Sequence, residues 1–154
     1  MRTLDRRLKT RVFLTIQDTV STPSGDKEMW RLPTVQLRGG GGEKEQQEET
    51  LLEGAKRAIR EKVGDVLQIY YPSNCPMAVE TRVFNKVERK FHGDTYFGIK
   101  TFFMVVQYDD GKVTMDDLLN ASDFAWLEKS EIVDRIRQEQ GDRPSKLYQY
   151  LLAE

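Results

Sequence analysis

Between Val12 and Gln17 the chain alternates Val12, Leu14 and Ile16 with Phe13, Thr15 and Gln17. That two-residue period, with its β-branched and aromatic bias, predicts a first strand. Pro23, Ser24, Gly25 and Asp26 are turn residues, so the chain is expected to reverse there and return through Met29–Pro33 as a hairpin. From Thr50 the period lengthens: Leu52, Ala55, Ile59 and Val63 recur every three or four residues and form one apolar stripe of a helix, which Gly64 stops. Gly54 inside this helix costs up to about 1 kcal/mol relative to Ala, which close packing against another element would explain. Strands are next expected within Val66–Tyr71, across the alternation from Met77 to Lys90, and within Gly98–Tyr108. The last of these holds the run Phe102, Phe103, Met104, Val105 and Val106, so a central strand with both faces covered is predicted. A turn at Asp109–Gly111, a short strand at Phe124–Leu127 and helices over Ser130–Gln140 and Pro144–Leu152 complete the reading. This order of elements predicts an α/β fold, an α/β/α sandwich with a mixed β-sheet covered by helices on its faces.

At 154 residues the chain is expected to form one domain. Its 24 Lys and Arg balance 25 Asp and Glu, so local distribution rather than net charge must point to partners. Residues 1–11 carry Arg2, Arg6, Arg7, Lys9 and Arg11 against Asp5. Such a basic segment is the tail of an organellar transit sequence, a nucleic-acid-binding arm or a solvated flank. The domain proper then runs over 12–154. Within it, about 38–48 forms a glycine-rich, charged insertion in which Gly39 to Gly42 lack the set spacing and Lys–Ser/Thr ending of phosphate-cradling loops. Arg82, Lys86, Arg89 and Lys90, with Glu88 among them, form a second candidate contact surface for RNA or protein. The single cysteine, Cys75, forms no internal disulfide and suits a reducing compartment. No apolar run approaches the roughly 20 residues needed to span a bilayer, so a soluble protein is expected. Neither Cys75 nor His92 has a companion at a recognisable catalytic spacing.

The segment Glu49–Gly64, ETLLEGAKRAIREKVG, carries the candidate chemistry. On a helix Ala58, Glu61 and Lys62 project together. With Trp30–Pro33 before it, this segment resembles the signature of the Nudix hydrolases, in which Gly, Glu and an Arg-Glu pair precede a Glu-Glu pair and a final Gly. Seven residues separate Glu49 from Arg57, and Gly64 falls on the terminal glycine. The departures concern the acids. Ala58 stands where the Glu after the Arg is expected, Glu61 keeps the first of the Glu pair, and Lys62 replaces the second. Two of the three helix carboxylates that hold Mg²⁺ in the resembled enzymes are therefore missing, and Glu43 stands where the leading Gly belongs. Mg²⁺ takes hard oxygen ligands, and a charged Lys offers no lone pair. Arg57 is expected to pair locally with Glu53 or Glu61, four residues away on either side.

Over most of its length, from Leu4 to about Tyr150, the chain also resembles the Nudix-like proteins of the mitochondrial large ribosomal subunit. The resemblance rests on LDRRLKTRVFLTIQD, WRLP, ETLLEGAKRA, FGIKTFFMVV and FAWLEKSEIVDRI. It implies a catalytically inactive structural component of the central protuberance, in the mitochondrial matrix, without metal or other cofactor. Its implied partners are other large-subunit proteins, with ribosomal RNA as a second contact and no membrane. Glu49, Arg57, Ala58, Glu61, Lys62 and Gly64 are on this reading vestigial. The alternatives are a Mg-dependent hydrolase of a nucleoside diphosphate derivative, using Glu61 with an acid such as Glu80, and a nucleotide-binding sensor without turnover.

Overall fold

Alternation along the first strand has a direct counterpart in three dimensions. The computed structural model describes residues 10–39 and 48–152. In it, β1 (Val12–Thr22) turns at Pro23 and Ser24 into β2 (Gly25–Arg31) and pairs on its other side with β7 (Asp123–Glu128), both antiparallel. Gly25 closes the hairpin with a φ of 108°, a left-handed value that side chains with a Cβ resist. The ladder sets Ile16 opposite Phe124 and Leu14 opposite Trp126 on one face, and Phe13 opposite Leu127 and Thr15 opposite Ala125 on the other.

Both faces are covered. Ile16, Phe124 and Trp126 pack with Val113 and with Val63 of α1 (Leu51–Val63). Ala125 and Leu127 pack on the opposite side with Ile132 and Ile136 of α3 (Lys129–Gln140) and with Leu152, which follows α4 (Asp142–Leu151). The result is a helix–sheet–helix layering about a three-stranded antiparallel sheet, a mixed α/β protein. Thr15, buried on the α3 side, satisfies its hydroxyl by donating to the Ala125 carbonyl at 2.8 Å.

Helix α1 begins at a capping box. The Thr50 side chain accepts from the Glu53 N–H, and the Glu53 carboxylate accepts from the Thr50 N–H. Gly64 ends it with φ 67° and an N–H bonded to the Arg60 carbonyl at 2.9 Å. Of the expected stripe Val63 is fully buried, while Leu52, Ala55 and Ile59 are partly covered; the deepest row is instead Gly54, Ala58, Lys62, one turn apart each time. Gly54 lets the Leu37 side chain lie against the helix; a Cβ there would require that exposed leucine to turn aside.

The remaining strands differ from expectation. They form two separate two-stranded antiparallel sheets, β3 (Gln68–Tyr70) with β6 (Gln107–Asp110), and β4 (Ala78–Val83) with β5 (Gly98–Phe103). All strand pairs among the described residues are thus antiparallel, in three sheets, in place of one mixed sheet. The predicted strand from Met77 to Lys90 stops at Val83, since the Asn85 side chain caps a helix, α2 (Lys86–His92), in a second capping box with Glu88. Local capping chemistry overrides the alternating pattern there. The apolar run Gly98–Tyr108 is likewise broken after Phe103, and β5 is not central: Ile99 and Phe102 are both exposed. Among the described residues no helix is long and apolar enough to cross a membrane.

Candidate functional site

Strand parity decides which side chains meet the buried row of α1. Asp18 follows Ile16 by two residues and therefore lies on the α1 face of β1, and Arg31, the register partner of Ile16, lies on the same face of β2. Lys62, at the deep end of the Gly54–Ala58–Lys62 row, reaches across to them. Its Nζ donates to Asp18 Oδ2 at 2.9 Å and to the Asn120 carbonyl at 3.0 Å, while the Arg31 guanidinium donates to the same Asp18 oxygen. Lys62 and Asp18 are both buried, at 8% and 5% exposure. Burial raises the Asp18 carboxyl, but the hydrogen bonds from Lys62 and Arg31, with their charges, outweigh it and hold the group below the ordinary aspartate value. The loop before β7 closes the site, as the Leu119 N–H donates to the Lys62 carbonyl and Asn120 Nδ2 donates to the Glu61 carbonyl.

A second ion network lies along the same helix toward its N-terminus. The Arg57 guanidinium grips both oxygens of Glu49, Nε to Oε1 at 2.7 Å and Nη2 to Oε2 at 2.8 Å. It also donates to Glu61 Oε1 at 3.0 Å and to the Gln36 carbonyl at 2.7 Å. Glu49 further accepts the Arg38 N–H at 2.9 Å. The Arg57 hydrogen bonds, against a smaller burial effect, pull the Glu49 carboxyl down to about 2, and the same pairing raises the Arg57 guanidinium. Such two-point guanidinium–carboxylate contacts fix geometry as well as charge.

The expected Arg57, Ala58, Glu61 and Lys62 thus lie on α1, with Glu49 just before its cap and Gly64 ending it, but the charged ones fall into two ion networks, and Ala58 is buried without a charged role. Glu53 is not an Arg57 partner, because its carboxylate is spent on the Thr50 cap. Glu61 is not a plain solvated residue, since both Arg57 and Arg38 donate to it. Asp18 and Arg31 were absent from the sequence reading. Their signal was present: a carboxylate two residues beyond Ile16 on an otherwise apolar strand face demands a buried cation.

A Mg²⁺ ion does not fit the residues present. The Lys62 ammonium, itself a cation, donates to two oxygens, and Asp18, the acid beside it, already accepts from two cations. Among the described residues no three His, Cys, Asp or Glu side chains group as metal ligands, Glu61 and Glu80 included.

Arg2, Arg6, Arg7 and Lys9 lie outside the described residues, and Arg11 is exposed just before β1. The second basic group gathers around α2: Lys86 and Lys90 are exposed, Arg82 pairs with Glu88 at 3.1 Å, and Arg89 stacks over the Phe97 ring at 4.6 Å. His92 stacks on Phe84 with centroids 4.5 Å apart, and Cys75 is exposed. No protein-family model matches the chain, and no curated protein matches it.

Proposed function

We propose that this chain is a catalytically inactive scaffold protein of Nudix type, a structural constituent of the mitochondrial large ribosomal subunit placed in its central protuberance among other large-subunit proteins. The observation that carries the reading is the Lys62 ammonium, bonded to Asp18 at 2.9 Å and to Asn120 at 3.0 Å, at the position where the resembled hydrolase signature has a metal-binding carboxylate. Hydrolysis of a diphosphate linkage in that family relies on metal ions to neutralise developing charge and to activate water. At about 4 Å and an effective dielectric near 20, a lysine repels a divalent ion by roughly 8 kcal/mol. The second network argues in the same direction, since Glu49 and Glu61 are both committed to Arg57. What the site does chemically is tie β1, β2, α1 and the loop before β7 into one rigid unit, the property a scaffold requires.

The order of hairpin, signature helix and closing strand–helix unit, and the motifs shared with the mitochondrial ribosomal proteins from Leu4 to about Tyr150, supply the rest of the support. The test is sedimentation of a mitochondrial lysate through a gradient at moderate salt, with the fractions probed for this chain. Comigration with the large subunit is expected. A chain that remains at the top of the gradient overturns the reading. Metal-dependent hydrolysis of a nucleoside diphosphate derivative, abolished by Glu61→Ala, would then establish the enzyme in its place.

A further inference from the structure

The β4–β5 hairpin has an inner and an outer face, and its register separates them. Ala78 opposite Phe103, Glu80 opposite Thr101 and Arg82 opposite Ile99 share the first; Val79 opposite Phe102, Thr81 opposite Lys100 and Val83 opposite Gly98 share the second. The first face is covered in part: Ala78, Glu80, Thr101 and Phe103 are half-buried, whereas Arg82 and Ile99 at its far end are exposed. Phe103 meets Tyr148 of α4 edge-on at 6.4 Å, and at the other end Arg82 pairs with Glu88 of α2. Phe84 and Phe97, which prolong the ladder through a backbone bond of 2.9 Å, lie on this same side and meet His92 and Arg89 of α2.

Among the described residues the second face has less cover. Val79 is 50% exposed, Val83 76% and Phe102 36%, and Thr81 and Lys100 are exposed between them. A two-stranded hairpin is marginal alone and is stabilised by packing against something else. Phe102 and Phe103 are adjacent in β5, so each face of the hairpin carries one ring. The described residues cover part of the first face, and an exposed apolar patch such as the second is a candidate interaction site.

We propose that the Val79–Val83–Phe102 face is a docking surface for a different protein, which lays an apolar segment across it and sets a carboxylate against Lys100. Charge fixes the occupant. Lys100 stands in the middle of the face, no acid shares that face, and no carboxylate among the described residues pairs with it. A second copy of this chain docked face to face would bring two ammonium groups into one apolar contact, without a carboxylate to offset them. RNA would gain a single cation and would cover valines that offer it neither stacking nor hydrogen bonds. A protein segment combining apolar side chains with one acid satisfies both halves of the surface.

The inference rests on the scaffold reading only for where the partner is found, a neighbouring protein of the large subunit. The test places a photo-crosslinking amino acid at Val83 in the full chain expressed in mitochondria, and maps the crosslinked peptide by mass spectrometry. Expected is one protein peptide containing Asp or Glu among apolar residues. Lys100→Glu should lower the crosslink yield at least tenfold, and a Lys in place of the mapped acid should restore it. A Lys100→Gln chain of unchanged melting temperature guards against misfolding, with an intermediate loss expected. Crosslinks to RNA, to a second copy or to nothing overturn the docking surface, as does a yield indifferent to Lys100→Glu. Gradient fractions of the same lysate separate the two claims: comigration without a crosslink removes the docking surface alone, and a charge-dependent protein crosslink in a chain that does not comigrate removes the ribosomal assignment alone.

Discussion

β7 and β5 are strands of six residues with similar aromatic and aliphatic content, Asp123–Glu128 and Gly98–Phe103, yet one is the most enclosed strand of the protein and the other among its most exposed. The difference lies in their neighbours. β7 pairs with β1 and has α1 over one face and α3 and α4 over the other, so Phe124, Ala125, Trp126 and Leu127 are all buried. β5 pairs with β4 and is covered only in part, Phe103 meeting Tyr148 while Ile99 and Phe102 are exposed. An apolar strand states that cover is required; it does not state which chain provides it. The contrast is broken most directly by truncating a ring in each strand. Phe124→Ala, at a site 1% exposed, should cost about 3–5 kcal/mol in urea unfolding. Phe102→Ala should cost the isolated protein less than about 1 kcal/mol. Equal losses would show that β5 is packed within the chain after all.

The next largest effect concerns the ion network beneath β7's partner strand. Lys62→Ala removes one of the two cations that Asp18 meets and leaves a cavity beside a buried carboxylate. Breaking a buried pair costs about 3–5 kcal/mol when the surviving charge is left alone. Here Arg31 remains, so a loss nearer 2 kcal/mol is expected. Lys62→Met, which refills the volume, should recover part of that loss. Urea midpoints of the two variants at neutral pH measure both. Because the bonds from Lys62 and Arg31 outweigh burial and lower Asp18 in the native protein, the stability its charge contributes is complete above the ordinary aspartate value and is lost as the pH falls below that value through the lowered native one.

Much of this architecture was legible in sequence because its signals are local. The two-residue period gave β1, the turn at Pro23 and Ser24 gave the hairpin, and the three- and four-residue period ending at Gly64 gave α1. What periodicity does not show is local capping in one place and pairing between distant segments in the others. Alternation continued past Val83 predicts strand where the Asn85 side chain instead begins α2, accepting from the Val87 and Glu88 N–H groups. The grouping of strands into three antiparallel sheets depends on pairings between distant segments that periodicity cannot rank. At the candidate site the helix positions were found from spacing, but Asp18, 44 residues from Lys62, was not. A strand residue and a helix residue become partners only through register and crossing, and neither is written in a single element.

Glu49 provides a smaller and pH-dependent test of the second network. Glu49→Gln keeps the shape of the side chain and removes the charge that Arg57 grips, while Glu61 stays within reach of Arg57 at 3.0 Å. The expected loss at neutral pH is about 1 kcal/mol, in the range of a charged hydrogen bond partly replaced. The wild-type carboxyl is pulled from 4.5 to about 2 in the fold. Its contribution is therefore complete above about pH 4.5 and is lost as the pH falls toward 2. The difference in melting temperature between wild type and Glu49→Gln should shrink over that interval, and a constant difference would show that the two-point contact does not hold in solution.

The smallest effect on stability is expected at Val83, 76% exposed on the outer face of the hairpin. Val83→Ser removes apolar surface that the isolated chain does not bury, so its urea midpoint should move by no more than about 0.5 kcal/mol, with the sign set by the lower strand preference of Ser. A loss well above 1 kcal/mol in the isolated chain would place Val83 in an internal core and erase the contrast between β5 and β7. With the proposed partner docked on this face, the same substitution should have a larger consequence in the assembled state, since full burial of such a side chain stabilises by roughly 1.5 kcal/mol or more. Competition between Val83→Ser and wild type for incorporation reads that difference as a preference of about tenfold for wild type. A variant that is neutral in isolation and disfavoured in assembly locates the missing cover outside the chain, whereas one neutral in both leaves the outer face without a function.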